Sequence, residues 1–152
     1  MVYYIEEGDI FQIKDVNCYA HGCNCSGAMG KGIALQFKLQ FPQMYAEYHK
    51  LCKQGQFLPG DVYTYHDDKV TIFNLGTQKS WKTKATLENV KTALIKMMKT
   101  AEALQISRIA LPTIGAGLGG LNWEDVKCII NKVSAEYPRT NLFVVEKYSS
   151  QI

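Results

Sequence analysis

Two segments restrict the fold of this chain more than any others, because each runs from an apolar stretch through a glycine-rich loop into a helical pattern. The first begins at His21, carries Gly27, Gly30 and Gly32, and enters its helix at Ile33 and Ala34. The second begins at Leu111, carries Gly115, Gly117, Gly119 and Gly120, and leads to Asn122, a residue suited to cap the next helix. Glycine lets the backbone come close to a ligand, and unpaired N–H groups at a helix start attract an anion. Either loop alone is a phosphate cradle or simply a tight strand-to-helix turn. Two of them at the C-terminal ends of strands in one small sheet fit a crevice that grips the two phosphates of one ligand.

The common nucleotide signatures do not describe these loops. Gly30 and Lys31 would complete a Walker A loop only with glycine at 25 and Ser or Thr at 32, but the chain has Cys25 and Gly32, so the magnesium-binding hydroxyl is missing. Gly115, Gly117 and Gly120 match GxGxxG formally. Their helix starts after the last glycine, however, and the unit closes a chain read as too short for the six-stranded dinucleotide-binding arrangement.

Strand-like runs cover residues 2–5, 18–21, 61–65, 70–74, 108–111 and 142–146. Between them lies a helix over about 86–104, with Leu87, Val90, Ala93, Leu94, Met97, Met98, Ala101 and Leu104 on one face. Another starts near Asn122, presents Val126, Ile129, Ile130 and Val133, and is ended by Pro138; an earlier pair is broken at Pro42. Strands interleaved with helices imply a layered α/β domain with a largely parallel sheet. At 152 residues the chain suits one domain with a self-sufficient core, and no apolar run approaches the ~20 residues of a membrane span. Five cysteines, an odd number, and an N-terminus without a secretory pattern predict free thiols and a cytoplasmic setting. A net charge of +3, with one denser stretch of lysines at 79–84, favours a local anion site over a nucleic-acid-binding stripe. Cys18, His21, Cys23 and Cys25 lack the usual second metal-binding pair, and strand alternation sends Cys18 and His21 to opposite faces, so no metal site is expected. Trp81 and Trp123 adjoin element boundaries and are read as packing residues.

Together with Gly8, Asp9 and Ile10, the two glycine loops resemble the macrodomain family. More narrowly they resemble its branch of ADP-ribose-1″-phosphate phosphatases, the terminal ADP-ribose protein glycohydrolase and the DNA ADP-ribosyl glycohydrolase antitoxins. The resemblance runs from about Val2 to Lys147. It implies a three-layer α/β/α macrodomain with a mixed, largely parallel central sheet, a single domain over residues 1–152, and a hydrolase without a cofactor. The implied ligand is ADP-ribose, free or attached to a small molecule or protein, hydrolysed at the distal ribose as ADP-ribose 1″-phosphate or as an ester. The alternative is a reader that binds without catalysis. Nucleic acid is a weaker partner reading through residues 79–84, and no membrane is implied.

Carried over residue by residue, the resemblance implies that Asp9 accepts from the adenine amino group, with the backbone of Ile10 meeting the ring. The residues alone read Asp9 equally well as a turn cap. Asn24 corresponds to the position beside the distal ribose. Gly27, Gly30, Lys31, Gly32 and Ile33 would wrap that ribose and one phosphate. Thr113, Ile114, Gly115, Ala116, Gly117, Leu118 and Gly119 would wrap the diphosphate, and Val145 and Lys147 would wall off the adenosine. Val145 offers no aromatic face for adenine. His21, three residues before Asn24, is either an acid, base or phosphate ligand, or a strand-end histidine satisfied by backbone groups. The family's catalytic lysine aligns with Gln78, and Lys79, one residue later, takes its place only across a local bulge. An aspartate used by one relative in the second loop is Gly119 here.

Overall fold

The alternation of apolar residues along each strand divides the molecule into two cores on either side of one sheet. The computed structural model describes residues 1–150. Its strands are β1 (Val2–Ile5), β2 (Cys18–Asn24), β3 (Val62–His66), β4 (Thr71–Gln78), β5 (Arg108–Leu111) and β6 (Asn141–Val145). Its helices are α1 (Gly32–Gln40), α2 (Pro42–Lys53), α3 (Leu87–Ala103) and α4 (Trp123–Ala135). The strand order is β1-β6-β5-β2-β4-β3, with β3 antiparallel to β4 and all other neighbours parallel.

Cys18 and Ala20 of β2, Phe73 and Leu75 of β4, and Ile109 and Leu111 of β5 face one way and pack against the stripe Val90, Leu94, Met97 and Met98 of α3 and Val126, Ile130 and Val133 of α4. Their sheet neighbours Tyr19, Cys23, Ile72, Ala110 and Val145 face the other way, against Phe37 of α1 and Met44 and Tyr48 of α2. The result is the expected three-layer α/β/α sandwich with a mixed, mostly parallel sheet. The six strand-like runs of the sequence form its six strands. Their order still separates the fold from the dinucleotide-binding arrangement. Among the described residues no helix is long and apolar enough to cross a membrane.

The helix starts follow local chemistry. Thr86 lies just outside α3 as its cap, its hydroxyl accepting from Asn89 N–H at 3.1 Å. Asn122 caps α4 by accepting from the N–H groups of Glu124 and Asp125. Two strands run further than their apolar patterns indicate. β2 continues to Asn24 and β4 to Gln78, because they pair with each other past Gly22 and Gly76 to the partners Asn24 and Gln78, with a register irregularity between Cys23 and Asn24. Glycines carry no apolar signal, so only the pairing reveals this extension.

Candidate functional site

Two adjacent strands, β2 and β5, send their chains to opposite faces of the sheet: β2 leads into α1 and β5 toward α4. Neighbouring strands that diverge in this way leave a crevice beyond their C-terminal ends, the usual place for a ligand in an open α/β sheet. A cleft of about 700 Å³ opens there. Its lining comes from residues 22–24 and 28–34, from 77, 78 and 81, from 112–115 and 117–119, and from 145, 146 and 148. The volume lies in the range of small-molecule sites.

Asn24 organises the first loop. Its Oδ1 accepts from Ser26 N–H at 3.1 Å, Ala28 N–H at 3.2 Å, the Ser26 hydroxyl at 3.0 Å and the Tyr48 hydroxyl at 2.9 Å. Its Nδ2 donates to Ala28 O at 2.8 Å. The side chain is almost wholly committed to holding the loop, with at most one N–H left for a ligand. Beyond this hub, α1 begins at the cleft with Lys31 as its capping residue, which makes no side-chain cap bond among the described residues. Gly32, Ile33 and Ala34 line the cleft, so the positive end of the helix and the Lys31 ammonium face the same space.

The second loop leaves Gly117, Leu118 and Gly119 N–H without a backbone acceptor among the described residues, and all three residues line the cleft. Gly115 sits at φ +73, and its carbonyl takes Leu121 N–H to close the loop. A Cβ on Gly119 would lie 2.6 Å from Gly115 O, so the aspartate of the relative has no room at this position. A Cβ on Gly117 meets nothing within 4 Å.

The structure brings Asn24, Gly30, Lys31, Gly32, Ile33, Thr113, Ile114, Gly115, Gly117, Leu118, Gly119 and Val145 to one cavity. Other expected site residues lie elsewhere. Gly27 turns at φ +95 toward His49 and Cys52, and Ala116 packs against the α3/α4 core. Lys147 is exposed, its Nζ 3.8 Å from Glu7, so Glu146 and Tyr148, not Lys147, face the cleft. Ile10 is fully buried, and Asp9 uses Oδ1 to accept Phe11 N–H at 2.9 Å as the cap of a short turn, Ile10–Gln12. Gly8 bridges to Tyr148, which sets Asp9 beside the 145–148 wall.

His21 requires a correction. It is fully buried behind the cleft floor, its Nε2 2.7 Å from Asn74 Oδ1 and its ring stacked on Phe37 at 4.0 Å. Burial lowers its pKa to about 4, with the Asn74 bond opposing in part, so it is neutral and out of reach of a ligand. Its partner is a side chain, not the backbone group foreseen for a structural histidine. Cys18 points to the opposite core from His21 and Cys23, as alternation required. Burial also raises Cys23 well above the thiol range and Cys25 to about 12, leaving both as thiols.

Lys79 is likewise displaced from its expected role: its side chain is exposed and does not line the cleft. Gln78 lines it instead, and the irregularity in β2 does not shift Lys79 into place. Trp81 is not a packing residue. It is 64% exposed at the cleft mouth, with Lys82 Nζ 5.3 Å from its ring centre, on a turn closed by Ser80 and Thr83. Trp123 does pack, edge-on to Tyr4, and donates from Nε1 to Glu146 at 2.8 Å. Thr77, Glu146 and Tyr148 are cleft residues that sequence reasoning missed. For Tyr148 a signal existed, an aromatic three residues past Val145.

The comparisons with known proteins agree with this architecture. The Macro domain family matches residues 20–130, and the chain belongs to that family. A DNA ADP-ribosyl glycohydrolase of Mycobacterium tuberculosis is 37% identical over 124 residues, covering 79% of this chain and 35% of that protein. The ADP-ribose glycohydrolase OARD1 of Homo sapiens is 32% identical over 127 residues, covering 84% of this chain and 80% of the relative. Among solved structures, the macrodomain of Mycobacterium tuberculosis DarG superposes with a TM-score of 0.90 at 32% identity, over 96% of this chain and 97% of that one. The chain spans about a third of the length of the DNA ADP-ribosyl glycohydrolases it matches.

Proposed function

We propose that this chain, acting as a single macrodomain over residues 1–152, binds ADP-ribose in the cleft and hydrolyses a group carried on its distal ribose, either the phosphate of ADP-ribose 1″-phosphate or an ester-linked ADP-ribosyl acceptor. One observation carries the reading: the start of α1 and the loop of Gly117, Leu118 and Gly119 line one cleft from two sides, with N–H groups that have no backbone or capping acceptor among the described residues. That arrangement suits a diphosphate. Val145 and Tyr148 at one end offer the adenosine wall, and Asn24 and Gln78 at the other lie beside the distal ribose. The hydrolase names of the relatives support the activity. A cytoplasmic setting belongs to the same proposal, supported by five cysteines held as free thiols.

The chemistry follows from what the cleft contains. A carboxamide at 78 cannot form the imine that a lysine would, and His21 is out of reach. The Glu146 carboxylate is engaged by Trp123 Nε1 at 2.8 Å and Lys127 Nζ at 3.5 Å. Hydrolysis on this scaffold therefore uses water, with rate enhancement from fixing the diphosphate with backbone dipoles and orienting the ribose. A carboxamide in place of an amine at position 78, with no imidazole on the cleft lining among the described residues, favours a second reading, binding without turnover. The exposed Trp81 beside Lys79, Lys82 and Lys84 supports an acceptor that is a nucleic acid, its base stacked on the indole and its phosphates near the ammonium groups.

Calorimetric titration with ADP-ribose, followed by phosphate release from ADP-ribose 1″-phosphate, separates these readings. Binding with release supports the hydrolase, and binding without release supports the reader or an ester substrate. Failure to bind ADP-ribose overturns the proposal.

A further inference from the structure

We infer that Gln78 is the residue by which this protein distinguishes ADP-ribose from ADP, its carboxamide oxygen accepting a hydrogen bond from a hydroxyl of the distal sugar; the inference rests on the ADP-ribose reading above. Two amide side chains stand side by side at the cleft floor, since Asn24 and Gln78 are register partners on β2 and β4. They are committed differently. Asn24 spends Oδ1 on four donors of its own loop and of Tyr48. Gln78 spends its nitrogen instead: Nε2 donates to Ser80 O at 2.9 Å and to Thr83 O at 2.7 Å.

Both partners of Nε2 are carbonyls, so the orientation of the amide is settled by chemistry. The group is planar, and with both N–H bonds held by the 80–83 turn its oxygen is left on the other side. Among the described residues Oε1 has no hydrogen-bond partner. The residue is 9% exposed and lines the cleft, so the surface it retains is cleft surface. An acceptor held in place on the cleft lining is a selective one, because a ligand that excludes water without a matching donor leaves it unpaired. The distal ribose supplies hydroxyl donors at that end of the cleft, whereas ADP ends at its second phosphate and supplies none. A lysine could keep the tether to Ser80 O and Thr83 O but would offer no acceptor.

The experiment compares the affinities of ADP-ribose and ADP for the wild type and Gln78→Leu, with Tm recorded for both. Gln78→Leu is expected to weaken ADP-ribose about tenfold and leave ADP within twofold. Unchanged ADP-ribose affinity overturns the inference, as does an equal loss for both ligands, which would assign Gln78 only to holding the turn. If the leucine variant does not fold, Gln78→Lys retains the tether without the acceptor. Its ratio of ADP-ribose to ADP affinity is expected to fall, and an unchanged ratio overturns the inference. A wild-type protein that binds neither ligand sinks the ADP-ribose reading itself, an outcome distinct from a wild type that binds ADP-ribose while Gln78→Leu shows no selectivity change.

Discussion

Burial without a charged partner makes His21 a source of pH-dependent stability in place of catalysis. Its folded-state pKa of about 4 lies below the unfolded value near 6.5, so the unfolded chain binds more protons between them. Its contribution is complete above pH 6.5 and is lost as the pH falls toward 4, by on the order of 3 kcal/mol. Urea unfolding of the wild type and of His21→Gln across pH 4–7 checks this, the variant being expected to show the flatter profile. Gly117 gives the complementary case, a cleft-lining residue at which an added Cβ meets open space. A Cβ there meets nothing within 4 Å, so Gly117→Leu should leave Tm within a few degrees while reducing ADP-ribose affinity at least ~100-fold by filling the cleft. Calorimetry beside a thermal melt reads both. Gly119→Asp should fail the other way, losing ~2 kcal/mol or more of stability because the new Cβ meets Gly115 O at 2.6 Å.

At the scale of elements, the first loop is held from behind by α2. The Tyr48 hydroxyl, buried on α2, donates to Asn24 O at 2.8 Å and Oδ1 at 2.9 Å, which ties the helix to the hub of the first glycine loop. Tyr48→Phe should cost about 1–2 kcal/mol, as a buried acceptor loses its donor, and should weaken ADP-ribose binding through Asn24 although Tyr48 itself does not line the cleft. Denaturant unfolding and calorimetry on the same variant test the pair. The helices were legible because their signals are local: Thr86 and Asn122 as caps, the stripes of α3 and α4, and Pro42 between α1 and α2. The ends of β2 and β4 were not, since Gly22 and Gly76 interrupt the apolar pattern and only cross-strand pairing continues the strands to Asn24 and Gln78.

For the whole molecule, the cleft joins both layers: α1 approaches from one side of the sheet, and the loop leading to α4 from the other. A ligand that bridges them binds only the folded state, so ADP-ribose at a hundred times its Kd should add about 2.7 kcal/mol of stability. A thermal melt against ligand concentration checks it, and a constant Tm would contradict binding at this junction. The sequence by itself determined the layered α/β class, the order of the helices and the place of the two glycine loops after their strands, because caps, periodicity and glycine act over a few residues. Tertiary structure alone decided which side chains reach the cleft. It buried His21 between Asn74 and Phe37, turned Lys79 and Lys147 to solvent, set Trp81 at the mouth and gave the cleft floor to Gln78. Exposure and reach depend on partners far apart in the chain, and those partners meet only when the strands pair and the helices dock.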